Sequence, residues 1–230
     1  LPEIDVKGNG VRIVKGDLSP CLPDGTDFGA ENAQGRGCVE REFAIENTGA
    51  ATLRISGVKI MGVHAGDFSV SQEPSSAILA NSSTVFRVLF SPKAKGTRNA
   101  TIVVSNNDKD EGEYNFAVKG TGQSPEITIL GNGVPIARFD DSPSKGDGTD
   151  FGPLDAEPAK EAFAREEKPG SRATLTRTFA LKNTGNATLA LTGSPLVEIS
   201  GEHRDDFVVV QFPSDSIIAG QSSSFKIEFR

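Results

Sequence analysis

The stretch Phe43–Leu53, FAIENTGAATL, returns 136 residues later as Phe179–Leu189, FALKNTGNATL. In each copy an apolar–polar alternation runs into Asn-Thr-Gly, and a second apolar run begins beyond it: strand, tight turn, strand. A chain that carries such a line twice is a repeat protein, so each copy is read against the other. Pro2-Glu3-Ile4 and Gly8-Asn9-Gly10-Val11 return as Pro125-Glu126-Ile127 and Gly131-Asn132-Gly133-Val134, and DGTDFG at Asp24–Gly29 returns unchanged at Asp147–Gly152. These blocks share an offset of 123 residues, so the second copy carries a 13-residue insertion within 153–173. Its Ala, Glu, Lys and Pro suit a solvated loop or short helix. Farther on, Asp67-Phe68 matches Asp206-Phe207, and Phe86, Val88 and Phe90 match Phe225, Ile227 and Phe229. Nothing in the second copy answers Pro92–Gly122.

A period near 123 in 230 residues predicts two domains, 1–122 and 123–230. Each is long enough to bury roughly two thirds of its unfolded surface without a structural metal. Thr, Val, Ile, Phe, Gly and Ser dominate, and helical spacing of apolar residues is scarce, which predicts an all-β chain. Short strands are expected at Glu3–Lys7, Val11–Val14, Val39–Glu46, Leu53–Ile60, Phe68–Val70, Ser83–Phe90, Asn99–Ser105 and Tyr114–Lys119, with Leu18–Gly37 a long polar loop. Each strand has one apolar face, and turn residues separate them, which describes antiparallel β-sandwiches. Arg41 and Arg177 share the inward parity of their strands, as long side chains snorkelling from a core edge do.

The net charge of −7, without blocks of like charge, offers no basic footprint for nucleic acid. No apolar run approaches the ~18 residues of a membrane span, and no polybasic or amphipathic stretch suggests a membrane surface. No signal peptide or initiator Met precedes Leu1, so the chain reads as a processed or excised piece of a longer polypeptide. No Gly-x-Ser-x-Gly, repeated Ser/His/Asp grouping or paired carboxylates beyond turn positions appear, so neither an enzyme nor catalytic residues are expected. Calcium is the one cofactor to weigh. Asp24/Asp27, Asp147/Asp150 and Asn106–Glu111 offer oxygens, but calcium takes six to eight, and turn Asp residues bonding local amides explain the loops as well. No metal ligand is assigned. His64 and His203 hold equivalent places, each alone within its copy, and read as loop histidines.

Cys21 and Cys38 occur only in the first copy, where the second has Ser144 and Thr174. Losing both together fits a disulfide, which would contribute ~3 kcal/mol and indicate an oxidising compartment. Two buried free thiols are the alternative.

PEIDVKGNG, DGTDFG, FAIENTGAATL, GDFSV and VVSNNDKDEGEYNFAVKGTG together resemble the bacterial choice-of-anchor D repeat, related to the Hydin-type, PapD-like immunoglobulin folds called ASH domains. The resemblance spans the first copy and the second up to its shortened end. It implies two tandem antiparallel immunoglobulin-like (PapD/ASH-like) sandwiches, the second lacking its last two strands. It also implies a non-catalytic module of a large secreted or cell-surface protein, acting as spacer or adhesive surface. A calcium- or carbohydrate-binding module using the acidic loops, and an intracellular Hydin-type scaffold, are the alternatives.

The first copy closes with inward side chains Ala100, Ile102, Val104, Tyr114, Phe116 and Val118. Six such side chains are worth about 10 kcal/mol, against ~5–15 kcal/mol for a whole domain. The second copy is therefore expected to be completed from elsewhere. The candidates are further repeats of the same parent chain, a strand-donating polypeptide, or strand exchange between two copies.

Overall fold

The computed structural model describes residues 1–33, 37–154 and 174–230, so most of the insertion expected within 153–173 lies outside the described residues. The chain divides into two compact units, Leu1–Ser124 and Pro125–Arg230.

In the first unit the strands are β1 (Ile4–Gly8), β2 (Val11–Ile13), β3 (Asp27–Asn32), β4 (Val39–Asn47) and β5 (Leu53–Met61). They continue with β6 (Phe68–Gln72), β7 (Ala77–Ile78), β8 (Ser82–Phe90), β9 (Gly96–Asn106) and β10 (Glu113–Gln123). Two five-stranded sheets form, ordered β2-β1-β4-β8-β6 and β3-β10-β9-β5-β7. The period-2 alternation dictates this layering, because each strand can bury only one face and so needs a second sheet against it. Phe43 and Ile45 of β4, Phe86, Val88 and Phe90 of β8, and Ile102, Val104, Tyr114, Phe116 and Val118 of β9 and β10 are all buried in that layer. Phe43 stacks on Phe86 at 5.4 Å and meets Phe116 of the opposite sheet at 5.5 Å.

The Asn-Thr-Gly turn joins two strands as expected, and because β4 and β5 belong to different sheets it carries the chain across the sandwich. One expectation needs correction. The supposed loop Leu18–Gly37 contains β3, which lies parallel to β10 with Asp27 opposite Lys119 and Asn32 opposite Gln123. Its residues, DFGAEN, do not alternate, since only Phe28 is buried and the strand edges the sheet. Main-chain pairing to a distant strand makes it a strand.

The second unit repeats the first sheet and little of the second. Its strands are β11 (Ile127–Gly131), β12 (Val134–Ile136), β13 (Leu175–Asn183), β14 (Leu189–Ala190), β15 (Phe207–Gln211), β16 (Ser216–Ile217) and β17 (Ser222–Phe229). They form a sheet ordered β12-β11-β13-β17-β15 and a separate pair β14-β16. The ring geometry of the first unit is reproduced. Phe179 stacks on Phe225 at 5.4 Å, Phe151 meets Phe207 edge-on at 5.3 Å, and Phe207 stacks on Phe229 at 4.8 Å. The counterparts Phe43–Phe86, Phe28–Phe68 and Phe68–Phe90 lie at 5.4, 5.4 and 4.7 Å. Among the described residues, however, no strand stands where β9 and β10 stand in the first unit. Buried apolar side chains here are Phe179, Leu181, Ile217 and Phe225, while Phe207, Ile227 and Phe229 stay half-buried.

Candidate functional site

The polar groups most deeply set in each unit lie at its turns. Asn47 ends β4 on the same inward parity as Phe43 and Ile45, and it is 1% exposed. Its Nδ2 donates to the carbonyls of Ala51 at 2.7 Å and Ile78 at 2.9 Å. Its Oδ1 accepts from the amides of Glu3 at 3.3 Å and Gly49 at 3.1 Å. One side chain thus satisfies four main-chain groups and ties the crossover turn to β1 and β7, and a primary amide has two donors and two acceptor sites to spend this way. Asn183 repeats it, donating to Ala187 at 2.7 Å and Ile217 at 2.9 Å and accepting from Glu126 at 3.3 Å and Gly185 at 3.0 Å. The sequence signal was present in both copies, as an amide at an apolar parity position.

The DGTDFG loops are fastened in the same manner. Asp24 Oδ1 accepts from the amide and the hydroxyl of Thr26, and that hydroxyl accepts from the Cys21 amide at 2.8 Å. Asp147, Thr149 and Ser144 reproduce the arrangement. The Thr149 hydroxyl and amide hold the Asp147 carboxyl below its ordinary pKa. Asp27 and Asp150 each accept from the amide two residues ahead, in Gly29 and Gly152. These carboxylates are engaged with their own loops, as turn aspartates are. The loop also locks onto the Gly-Asn-Gly turn. The Asp24 carbonyl oxygen sits 1.9 Å from where a Cβ on Gly8 would be, and the Asp147 oxygen 1.7 Å from that of Gly131. No side chain fits there, which explains the glycine in both copies.

Immediately before β6 a 3-10 turn, Ala65–Asp67, follows His64. His64 Nδ1 accepts from the Asn99 amide at 3.0 Å, so one ring nitrogen is occupied by the backbone of β9. Asp67, 4% exposed, pairs with Arg98 of β9 and accepts from the Lys93 amide at 3.2 Å. In the second unit His203 precedes the equivalent turn Arg204–Asp206, and among the described residues the Asp206 carboxylate forms no ion pair.

The Asn106–Glu111 segment is the β9–β10 hairpin loop. There Glu3, Asp108 and Asp110 bring carboxylate oxygens within 4.8 Å of one another. Asp108 is buried and accepts from the Ile4 amide at 2.9 Å. Neighbouring Glu111 has its pKa raised by desolvation first, with Asp108, Glu3 and Asp110 adding and Lys15 opposing. Calcium takes six to eight oxygens from carboxylates, carbonyls and waters, and these three carboxylates, one of them engaged with backbone, would supply part of such a set. A shallow groove of about 530 Å³ is lined by Leu18, Val63, His64, Asn99, Thr101 and Lys119. Buried Nε atoms of Arg41 and Arg177 have no hydrogen-bond partner, and the Arg177 guanidinium lies 6.0 Å from the Phe151 ring centre. Among the described residues, no helix is long and apolar enough to cross a membrane.

The disulfide expected between Cys21 and Cys38 is not formed; both are free, Cys21 half-buried and Cys38 exposed. Strand β3 separates them. The Asp27 amide, at its start, donates to the Cys21 carbonyl at 2.9 Å. Gly37, next to Cys38, packs against Glu31 and Asn32 at its other end. Five strand steps of ~3.3 Å put ~16 Å between the two ends, whereas a disulfide needs Cα atoms within ~7 Å. An extended strand between the cysteines was not foreseen, and it keeps the thiols apart.

Residues 22–121 match the family model described as HYDIN/CFA65/VesB-like, Ig-like domain. No curated protein sequence matches the chain. Among solved structures, the chain is similar to the ASH/PapD-like domain 7 of human CEP192 at 16% identity and a TM-score of 0.32, covering 44% of this chain and 83% of that one. It is similar to the secreted serine protease VesC of Vibrio cholerae at 11% identity and a TM-score of 0.35, covering 89% of this chain and 45% of that one. For the Vibrio cholerae VesB protease the identity is 12% and the TM-score 0.33, with 54% and 32% covered.

Proposed function

We propose, from the match of residues 22–121 to the HYDIN/CFA65/VesB-like, Ig-like domain model, that the chain is a non-catalytic structural module of a larger protein, serving as spacer or adhesive surface. The observation that supports this is where the chemically capable side chains are spent. Asn47, Asp24, Asp67 and His64 each satisfy backbone groups of turns or neighbouring strands. Groups committed to backbone are not poised over a pocket. The rival calcium-binding reading is tested by thermal unfolding in excess calcium and in excess chelator. Coincident transitions are expected; a midpoint raised by calcium would move the function to a metal-dependent module.

A secreted or cell-surface setting is part of the proposal and rests on the resemblance of the repeat to the choice-of-anchor D family. The two free thiols favour a second reading, an intracellular Hydin-type scaffold, because an oxidising compartment does not keep thiols reduced as the cytosol does. Protease treatment of intact native cells separates the two. Loss of the protein before lysis supports the surface setting, and survival until lysis supports the scaffold.

A further inference from the structure

The two units share a fold but differ at one sheet edge. β6 and β15 are equivalent strands, each the last of its sheet. An edge strand offers unpaired main-chain groups to other strands, and natural chains guard it with polar and charged side chains. The first unit does so. Ser69, Ser71 and Glu73 are exposed along β6 and its end. The Ser71 hydroxyl donates to Glu40 at 2.7 Å, and Arg87 reaches Glu42 at 2.8 Å and Glu40 at 4.0 Å. In the second unit Val208, Val210 and Phe212 stand in place of Ser69, Ser71 and Glu73, and Thr176 and Thr178 in place of the two glutamates. Val210 is 45% and Phe212 49% exposed. The exposure comes with the architecture: the first unit has both sheets in full, and there β6 is still an edge with those three side chains in solvent.

The main chain of this edge is available as well. The Arg230 amide donates to the Asp206 carbonyl, as Ser91 does to Asp67. Antiparallel alternation then turns Val208 towards β17 and points the amide and carbonyl of Val209 away from it. A second difference accompanies the apolar edge. Ala65 and Ser76, which flank β6, are replaced by Arg204 and Asp215, one on each side of β15 and both exposed.

We propose that β15 pairs antiparallel with β15 of a second copy of this chain. The two-fold arrangement sets the Val208/Val210 face of one copy against the same face of the other, and β-branched side chains pair well across strands. It also brings the turn before one β15 alongside the segment after the other, so that Arg204 meets Asp215 of the other copy, twice. Opposite charges at both ends fix the antiparallel sense. Both units keep a bulge, between Val70 and Gln72 and between Val209 and Gln211, so the regular edge is short. The contact is therefore a weak one, below the ~1,200 Å² of stable interfaces. It joins copies side by side whether the chain serves as spacer or scaffold.

The test is sedimentation equilibrium of the full chain from ~1 μM to ~1 mM, which spans the dissociation constants of weak complexes, with hydrogen exchange resolved to individual amides. The mean mass is expected to rise towards that of two chains. Over the same range the Val209 amide should slow by about 10-fold and the Val208 amide, already bonded to β17, should not change. Val208→Ser with Val210→Ser installs the residues that the first unit carries at these places, and this variant should stay monomeric with an unchanged circular dichroism spectrum. Arg204→Asp should weaken association by about 10-fold, since two exposed pairs are reversed at once, and adding Asp215→Arg should restore it. A dimer that survives the double serine variant, or forms without slowing Val209, overturns the proposal. A chain that stays monomeric throughout also overturns it and leaves the edge to a strand of a different protein.

Discussion

Asn47→Ala removes all four side-chain bonds that fasten the crossover turn, leaving its main-chain bonds to Leu1 and Glu3. The bonds span 2.7–3.3 Å, and their partners are the amides of Glu3 and Gly49 and the carbonyls of Ala51 and Ile78. At ~0.5–1.5 kcal/mol net per bond the loss is ~2–6 kcal/mol. The middle of that range is favoured because Asn47 is 1% exposed, so water does not replace the lost bonds. About 4 kcal/mol is a large share of the ~5–15 kcal/mol of a domain and nearly three orders of magnitude in the unfolding equilibrium. Urea unfolding followed by circular dichroism, with hydrogen exchange assigning each transition to a unit, measures it. Asn47→Asp sharpens the test, since the carboxylate still accepts from the Glu3 and Gly49 amides but meets the two carbonyls with a like partial charge. Its deficit should shrink in acid, where the protonated group regains one donor. A cost below ~1 kcal/mol for Asn47→Ala, or an acid-independent Asn47→Asp, would refute the reasoning.

Gly8→Ala should destabilise the first unit by ~1–3 kcal/mol in the same assay, because its Cβ would lie 1.9 Å from the Asp24 carbonyl oxygen. Gly131→Ala should do likewise to the second unit. Arg98→Ala leaves Asp67, whose side chain is 3% exposed, as an unpaired buried carboxylate, and should cost ~3–5 kcal/mol; Asp67→Asn in the same background should restore part of it. Tyr114 has its pKa raised, by burial first and by Asp5 and Glu111 after it. A raised acid favours the neutral form in the folded state, so its contribution is present below pH ~10 and lost as pH rises through the alkaline range. Tyr114→Phe should forfeit ~1 kcal/mol at neutral pH and flatten that alkaline loss. Asp147 has its pKa lowered by Thr149, so its contribution is present above the ordinary carboxyl range and lost as pH falls below it. Thr149→Val should blunt the acid sensitivity of the second unit's transition.

The alternating strands were legible because burial on one face leaves a period in the sequence: Phe43/Ile45 and Phe86/Val88/Phe90 mark β4 and β8 directly. The glycines and aspartates of DGTDFG announced a turn with local side-chain bonds, which the structure contains. Strand β3 was not legible, since its register is set by hydrogen bonds to β10 some ninety residues away and its side chains carry no alternation. The cysteine pairing failed for the same reason, as their joint absence from the second copy says nothing about the strand lying between them. Asn47 was visible as a residue and hidden as a role. Asn-Thr-Gly reads as a turn, and only the paths of β1 and β7 reveal that its amide fastens three segments.

The parallel pairing of Asp27–Asn32 with Lys119–Gln123 has a consequence for how the polypeptide is made. The first unit cannot finish its second sheet until nearly all of its 124 residues have left the ribosome, because an early segment waits for the last one. Such distant pairings slow folding, towards the millisecond-to-second range of β-rich domains. Until then the nascent chain displays the Phe43–Phe86 row bare, open to any chaperone that shields aromatic rows during synthesis.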